Sequence, residues 1–140
     1  MAGKKRQRIN DPTAERAHLR VLRRAAERGD LEAQHDLGAS YATGDVDGTK
    51  NDVEAVKWYT GAAERGHAES QYDLGFMLIL GEGTEKDIAK GLWWMEQAVA
   101  NGWDYAARVL SDVYEKGLYG VEPNSEKAAY WNEKAGDYKT

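Results

Sequence analysis

Two stretches of the chain, AAERGDLEAQHDLG (Ala25–Gly38) and AAERGHAESQYDLG (Ala62–Gly75), are identical at ten of fourteen positions. Self-similarity at a fixed spacing is the mark of a chain built from stacked supersecondary units. The register extends well beyond the doubled phrase. Gly29 returns as Gly66 after 37 residues and as Gly102 after 36 more. Leu37-Gly38 returns as Leu74-Gly75 and then as Leu110-Ser111, Trp58 as Trp94 and Trp131, and Ala62 as Ala98 and Ala135.

Each unit predicts two helices. The first follows the glycine, over Leu31–Thr43, His67–Leu80 and Trp103–Lys116. Within these segments Ala33, Leu37 and Tyr41, then Ser70, Leu74 and Leu78, then Ala106, Leu110 and Tyr114 fall at i, i+4 and i+8, one face of a helix. A glycine-bearing loop comes next (TGDVDGTK, GEGTEK, KGLYGVEP), and then a second helix. Asn51 with Glu54 has the form of a capping box, and Thr84 with Asp87 and Asn124 after Pro123 are expected to open the other two second helices. Asp11 and Pro12 have the signature of an N-cap and a first helical residue, so residues 11–29 read as a lone second helix that caps the array. The fold class expected is all-α, with one capping helix and three helix pairs, about seven helices in all. The divisions are a basic flexible tail over 1–10, the capping helix over 11–29, and repeats over 30–65, 66–101 and 102–138.

Gly38, Gly75 and Ser111 recur where the two helices of a pair should cross. A helical glycine is less favourable than alanine by about 1 kcal/mol, so its recurrence in phase implies close backbone approach. Trp58, Trp94 and Trp131 are expected to fill the wider gap between one pair and the next, as core rather than as a ligand box.

The pattern A-x-x-x-L-G-x-x-Y, glycine loop, W-x-x-x-A-A and a closing glycine, with LEAQHDLG and AESQYDLG as its phrases, resembles the Sel-one-like repeats, relatives of the tetratricopeptide repeats. The resemblance spans about residues 14–138. The third unit departs from it, with Ser111 in place of glycine and ANGWDYAARVL as its opening. The resemblance implies a right-handed α-solenoid and a role in binding other proteins.

Composition excludes several functions. The 140 residues contain no cysteine, so neither disulfides nor thiolate chemistry is available. The longest uninterrupted apolar run, Phe76–Leu80, is too short to cross a membrane. The opening MAGKKRQRIN carries positive charge with no apolar stretch after it, unlike a signal peptide. A soluble, cytoplasmic protein is expected. GDVDGTK (Gly44–Lys50) is one residue short of a phosphate loop, with its last pair reversed. As a calcium loop it has Asp45, Asp47 and Thr49 at alternate positions, but Lys50 where glycine is required and Val56 where glutamate is required. His18, His35 and His67 fall on different predicted helices with no HxxxH spacing. The sequence therefore predicts no catalytic residues, cofactor or metal.

Charge is asymmetric. Residues 1–28 carry nine Lys/Arg against three Asp/Glu (+6), and residues 29–140 carry ten against twenty-one (−11). In stacked helix pairs the first helices line the concave face. Positions between the core stripes should point into that groove: Glu32, His35, Ala39 and Ala42 in unit one, Glu69, Tyr72, Phe76 and Ile79 in unit two, and Tyr105, Arg108, Asp112 and Glu115 in unit three. This predicts a non-enzymatic module binding a protein or peptide, with Tyr72 and Phe76 as anchors. An alternative is a small acidic antidote to a basic toxin or nuclease, steered by the −11 body. A lesser alternative is nucleic-acid contact through KKRQR with Arg16, Arg20, Arg23 and Arg24. Self-association could use the basic tail, or Tyr130, Trp131 and Tyr138.

Overall fold

The computed structural model of the chain describes residues 12–46 and 48–140; the basic tail, the Asp11 cap and Asp47 lie outside them. The described residues form seven α-helices, α1 (Pro12–Glu27), α2 (Leu31–Thr43), α3 (Asp52–Glu64), α4 (Ala68–Leu80), α5 (Ile88–Ala100), α6 (Asp104–Lys116) and α7 (Ser125–Lys134), with single 3-10 turns at Leu118–Gly120 and Gly136–Tyr138. No strand occurs among them. Pro12 is the first residue of α1, where its missing N–H leaves no helical hydrogen bond unmade.

Helix starts follow local chemistry. Asp30, Asn51, Asp87 and Asn124 each accept the N–H three residues on, from Ala33, Glu54, Lys90 and Lys127. Two expectations are corrected here. Asp87 itself caps α5, not Thr84. Asn51 caps α3, but Glu54 pairs with Lys57 at 3.2 Å rather than closing a capping box. The Asn51 N–H is already committed to the Tyr41 carbonyl at 2.8 Å. The same bond recurs from Asp87 to Leu78 and from Asn124 to Tyr114, so each loop is pinned to the end of the helix before it. α4 and α6 begin one residue later than expected, because His67 and Trp103 are N-caps; the His67 imidazole Nδ1 faces the Ser70 N–H at 3.3 Å. Gly66 shows why each second helix must stop. It adopts φ +90°, which lets the His67 N–H reach back to the Ala62 carbonyl.

α2–α3, α4–α5 and α6–α7 pack as hairpins, and α1–α2, α3–α4 and α5–α6 pack between them. The α4–α5 crossing is the tightest. A β-carbon on Gly75 would stand 2.8 Å from the Gly91 carbonyl oxygen, and one on Gly91 would stand 2.6 Å from the Gly75 carbonyl oxygen and from Ile79 Cγ1. The equivalent crossings use Gly38 beside the Tyr59 ring and the Ala55 carbonyl, and Ser111 with Ala128. At the last, the Ser111 hydroxyl donates to the Ala128 carbonyl at 2.8 Å, turning the tolerated side chain into a buried hydrogen bond.

The core divides at α4. Leu74, Met77 and Leu78 belong to one cluster with Leu37, Tyr41 and Tyr59; Ile79 belongs to a second with Met95, Leu110 and Tyr114. Trp58 and Trp94 lie partly buried against the first cluster and Trp131 against the second. The capping helix is tied on by Ala26 in the first cluster, by Gln34 donating to the Ala26 carbonyl, and by a bond from Arg23 to the Tyr41 hydroxyl. Gln71 repeats the Gln34 lock on the Ala63 carbonyl.

Two alanine substitutions should act in opposite directions. Gly91→Ala forces backbone apart and is expected to destabilise by about 2–3 kcal/mol. Gly61→Ala, inside α3 with only Gln34 Oε1 nearby at 3.8 Å, should stabilise by about 0.5–1 kcal/mol. Urea unfolding followed by circular dichroism reads both.

Candidate functional site

α2, α4 and α6 share a face on which equivalent positions form rungs: Glu32, Glu69, Tyr105; His35, Tyr72, Arg108; and Ala39, Phe76, Asp112. The backbone repeats along this face, but the two joints between neighbouring first helices carry different chemistry.

The joint between α2 and α4 is built from imidazoles and carboxylates. His35, 8% exposed, places Nε2 at 2.8 Å from Asp73 Oδ2 and 3.8 Å from Glu69 Oε1, while its Nδ1 lies 3.5 Å from Asp36. Its ring packs between Tyr59, with ring centres 5.5 Å apart, and His67, at 5.3 Å. His67 is held by Ser70 Oγ and Glu32 Oε1, each at 2.8 Å. Burial disfavours the His35 imidazolium, but the bond to Asp73 and the charge of Glu69 outweigh it and raise its pKa.

The joint between α4 and α6 is aromatic. Tyr72 occupies the His35 position, Trp103 the His67 position, Tyr105 the Glu69 position and Val109 the Asp73 position. Tyr72 meets Phe76 edge-on at 5.1 Å, Tyr105 at 5.8 Å and Trp103 at 6.4 Å. Tyr105 continues the run to Tyr138 at 5.2 Å, and Phe76 continues it to Tyr119 at 6.4 Å. Burial first, and then the neighbouring Tyr105 phenol, push the Tyr72 pKa far up, so its hydroxyl stays neutral. Tyr119 sits at φ 57°, ψ 26°, a left-handed conformation that costs a non-glycine residue about 1–2 kcal/mol. That backbone delivers its ring to the edge of Phe76.

The remaining residues expected on this face fall as follows. Glu32 and Tyr105 are exposed, and Glu69, Tyr72 and Phe76 are partly buried. Arg108 bonds Asp112 at 3.2 Å and the Tyr138 carbonyl at 3.3 Å, which ties the C-terminal turn to α6. Glu115 is exposed beside an open depression of about 510 Å³ between α6 and α7, which also borders Ser111, Tyr114 and Asn132. Two of the expected residues are corrections. His35 is buried between Tyr59 and His67 with its Nε2 taken up by Asp73, so its ring is not on the open face. Ile79 is 1% exposed and packs into the second core cluster against the crossing glycine, so no partner on this face can touch it. One residue of register separates Leu78, facing the first core, from Ile79, facing the second, and a single-helix projection cannot distinguish a groove from the next repeat. Sequence reasoning also missed Asp73 and Tyr119, and it singled out Tyr138 only for self-association, not for this face. Asp73 stands one turn after Glu69, which was the available signal; Tyr119 lies outside the helical register and gave none.

Stacked helix pairs of this kind define an α-solenoid. The Sel1 repeat model matches residues 31–67, 68–103 and 104–137, and the chain belongs to that family. Among solved structures it is similar to a Sel1 repeat protein from Oxalobacter formigenes, at 37% identity and TM-score 0.74, over 84% of this chain and 46% of that one. It is also similar to a protective antigen present in uropathogenic Escherichia coli strains that displays an SLR fold, at 33% identity and TM-score 0.74, over 85% of this chain and 25% of that one. The chain thus spans about half of the first protein and a quarter of the second. A search of the curated proteins gave no match. No helix among the described residues is long and apolar enough to cross a membrane. Repeats of this family generally serve as scaffolds for protein–protein contact.

The two imidazole pairs of the α2–α4 joint should differ in weight. The Asp73 side chain is 30% exposed and faces a buried ring, whereas the Glu32 side chain is 75% exposed. Asp73→Ala is expected to destabilise by about 1–2 kcal/mol, and Glu32→Ala by no more than about 0.5 kcal/mol. Chemical denaturation at neutral pH compares them.

Proposed function

We propose that this chain is a non-enzymatic interaction module of the cytoplasm that holds a protein or peptide along the α2–α4–α6 face, anchored on Tyr72, Phe76 and Tyr105. The observation that carries this reading is the edge-to-face aromatic run from Phe76 through Tyr72 and Tyr105 to Tyr138. Tyr105 and Tyr138 remain 42% and 50% exposed. Aromatic anchors with part of their surface free are the side chains on which binding energy concentrates. The strained Tyr119 beside them supports the same reading, since strain of this kind gathers at binding sites.

A second reading concerns the partner's charge. Glu32, Asp36, Glu69 and Asp73 lie next to the aromatic run on the same face, and residues 29–140 carry −11. This favours a basic partner, which includes the antidote role against a basic toxin or nuclease. It weighs against nucleic acid, whose phosphates this face repels.

Tyr105→Ala is expected to weaken a partner captured and purified on the wild-type chain by about 30-fold, which corresponds to about 2 kcal/mol. Melting should stay nearly unchanged, because the ring is largely outside the core. Phe76→Glu should abolish capture, and Trp93→Ala, an exposed aromatic on α5, should leave it intact. Equal binding by wild type and Tyr105→Ala, measured by calorimetry, sinks the assignment of this face.

A further inference from the structure

We propose that the α2–α4 joint is a binding site for one divalent transition-metal ion of the zinc class, ligated by His35 Nε2, Glu69 and Asp73. The three donor atoms already lie within 4.8 Å of one another. The imidazole nitrogen stands 2.8 Å from the Asp73 oxygen and 3.8 Å from the Glu69 oxygen. Zinc bonds of about 2.0–2.2 Å in a tetrahedral arrangement separate neighbouring donors by about 3.3–3.6 Å. Small rotations of two carboxylates with free solvent on one side reach that geometry.

The support around the donors is that of a built site. Glu69 and Asp73 are one turn apart on α4, and His35 comes from a different helix, so two rigid elements fix the ligands. Asp36, 3.5 Å from Nδ1, orients the ring from behind, the role carboxylates play toward metal-bound histidines. Tyr59 and His67 flank the ring and hold it in place.

An independent observation points to a cation. The equivalent joint between α4 and α6 closes with Tyr72, Trp103, Tyr105 and Val109, so the fold packs this position without charge. At the first joint three carboxylates, Asp36, Glu69 and Asp73, surround a single imidazole that is nine-tenths buried. Even a protonated ring leaves two negative charges uncompensated there. A divalent ion replaces the Nε2 proton, which leaves to solvent, and neutralises both ligating carboxylates. One nitrogen and two oxygens select Zn²⁺, Co²⁺ or Ni²⁺ over Ca²⁺ and Mg²⁺, which prefer all-oxygen sets. The ion would pin the first repeat to the second beside Tyr72, and the inference stands whether or not the neighbouring aromatic run binds a partner.

The test uses the full, tag-free chain, stripped with chelator and titrated with Zn²⁺ by calorimetry. One equivalent should bind and raise the melting temperature. His35→Gln and Asp73→Asn should each weaken binding at least tenfold, Asp36→Asn about tenfold, and His18→Gln not at all. Circular dichroism establishes that each variant is folded, and Glu69→Gln, at a more exposed ligand, replaces any that is not. Absence of saturable Zn²⁺ binding, or binding that survives the loss of both His35 and Asp73, overturns the proposal. Displacement of Zn²⁺ by equimolar Ca²⁺ overturns the metal class.

Discussion

The backbone contact between Gly75 and Gly91 is the constraint on which the middle of the solenoid depends. Each glycine sits against the other's carbonyl oxygen at a distance that no β-carbon could share. Once the backbones touch, the side chains one turn away have little choice of direction. Leu74, Met77 and Leu78 turn to the first core and Ile79 to the second. The two other crossings solve the same problem with different side chains, Gly38 against a tyrosine ring and Ser111 through a hydrogen bond. A helical glycine is locally unfavourable, and the packing gained on both sides of α4 offsets it.

A fixed backbone leaves the faces between repeats free to differ. The α2–α4 and α4–α6 joints bring rings together at equivalent positions, 5.3 Å apart from His35 to His67 and 6.4 Å apart from Tyr72 to Trp103. One is nonetheless polar and anionic and the other aromatic. Because each repeat contacts chiefly its neighbours, such an exchange changes the surface without disturbing the array. His67 shows how one residue can serve both levels, capping α4 through Nδ1 and facing Glu32 through Nε2.

The C-terminal end follows the same logic with polar residues. Where the second pair has Met95 and Ile79 buried against the third, the third has Asn132 and Glu115. Asn132 bonds Thr140, and Arg108 bonds the Tyr138 carbonyl, so the terminal turn folds back over α6 and α7. At the other end of the described residues α1 packs on α2 through Ala26, through the Gln34 bond to the Ala26 carbonyl and through the Arg23 bond to Tyr41.

The sequence by itself determined the periodic part of this protein. Asn51 and Asn124 act within three residues of themselves, and Gly66 acts within five, so local spacing gave the helices and their order, apart from the cap of α5, which falls on Asp87 rather than Thr84. The recurrence of Gly38, Gly75 and Ser111 was enough to locate the crossings. Tertiary structure alone decided which neighbour each outward position meets. His35 and Asp73 are 38 residues apart, and Tyr72 and Tyr105 are 33 apart, in different helices of different repeats. Ile79 projects toward a groove on an isolated helix and into the next core in the stacked one. Helical periodicity fixes direction relative to a helix's own axis; the axis of the following helix, which decides burial and partners, is set by packing summed over both.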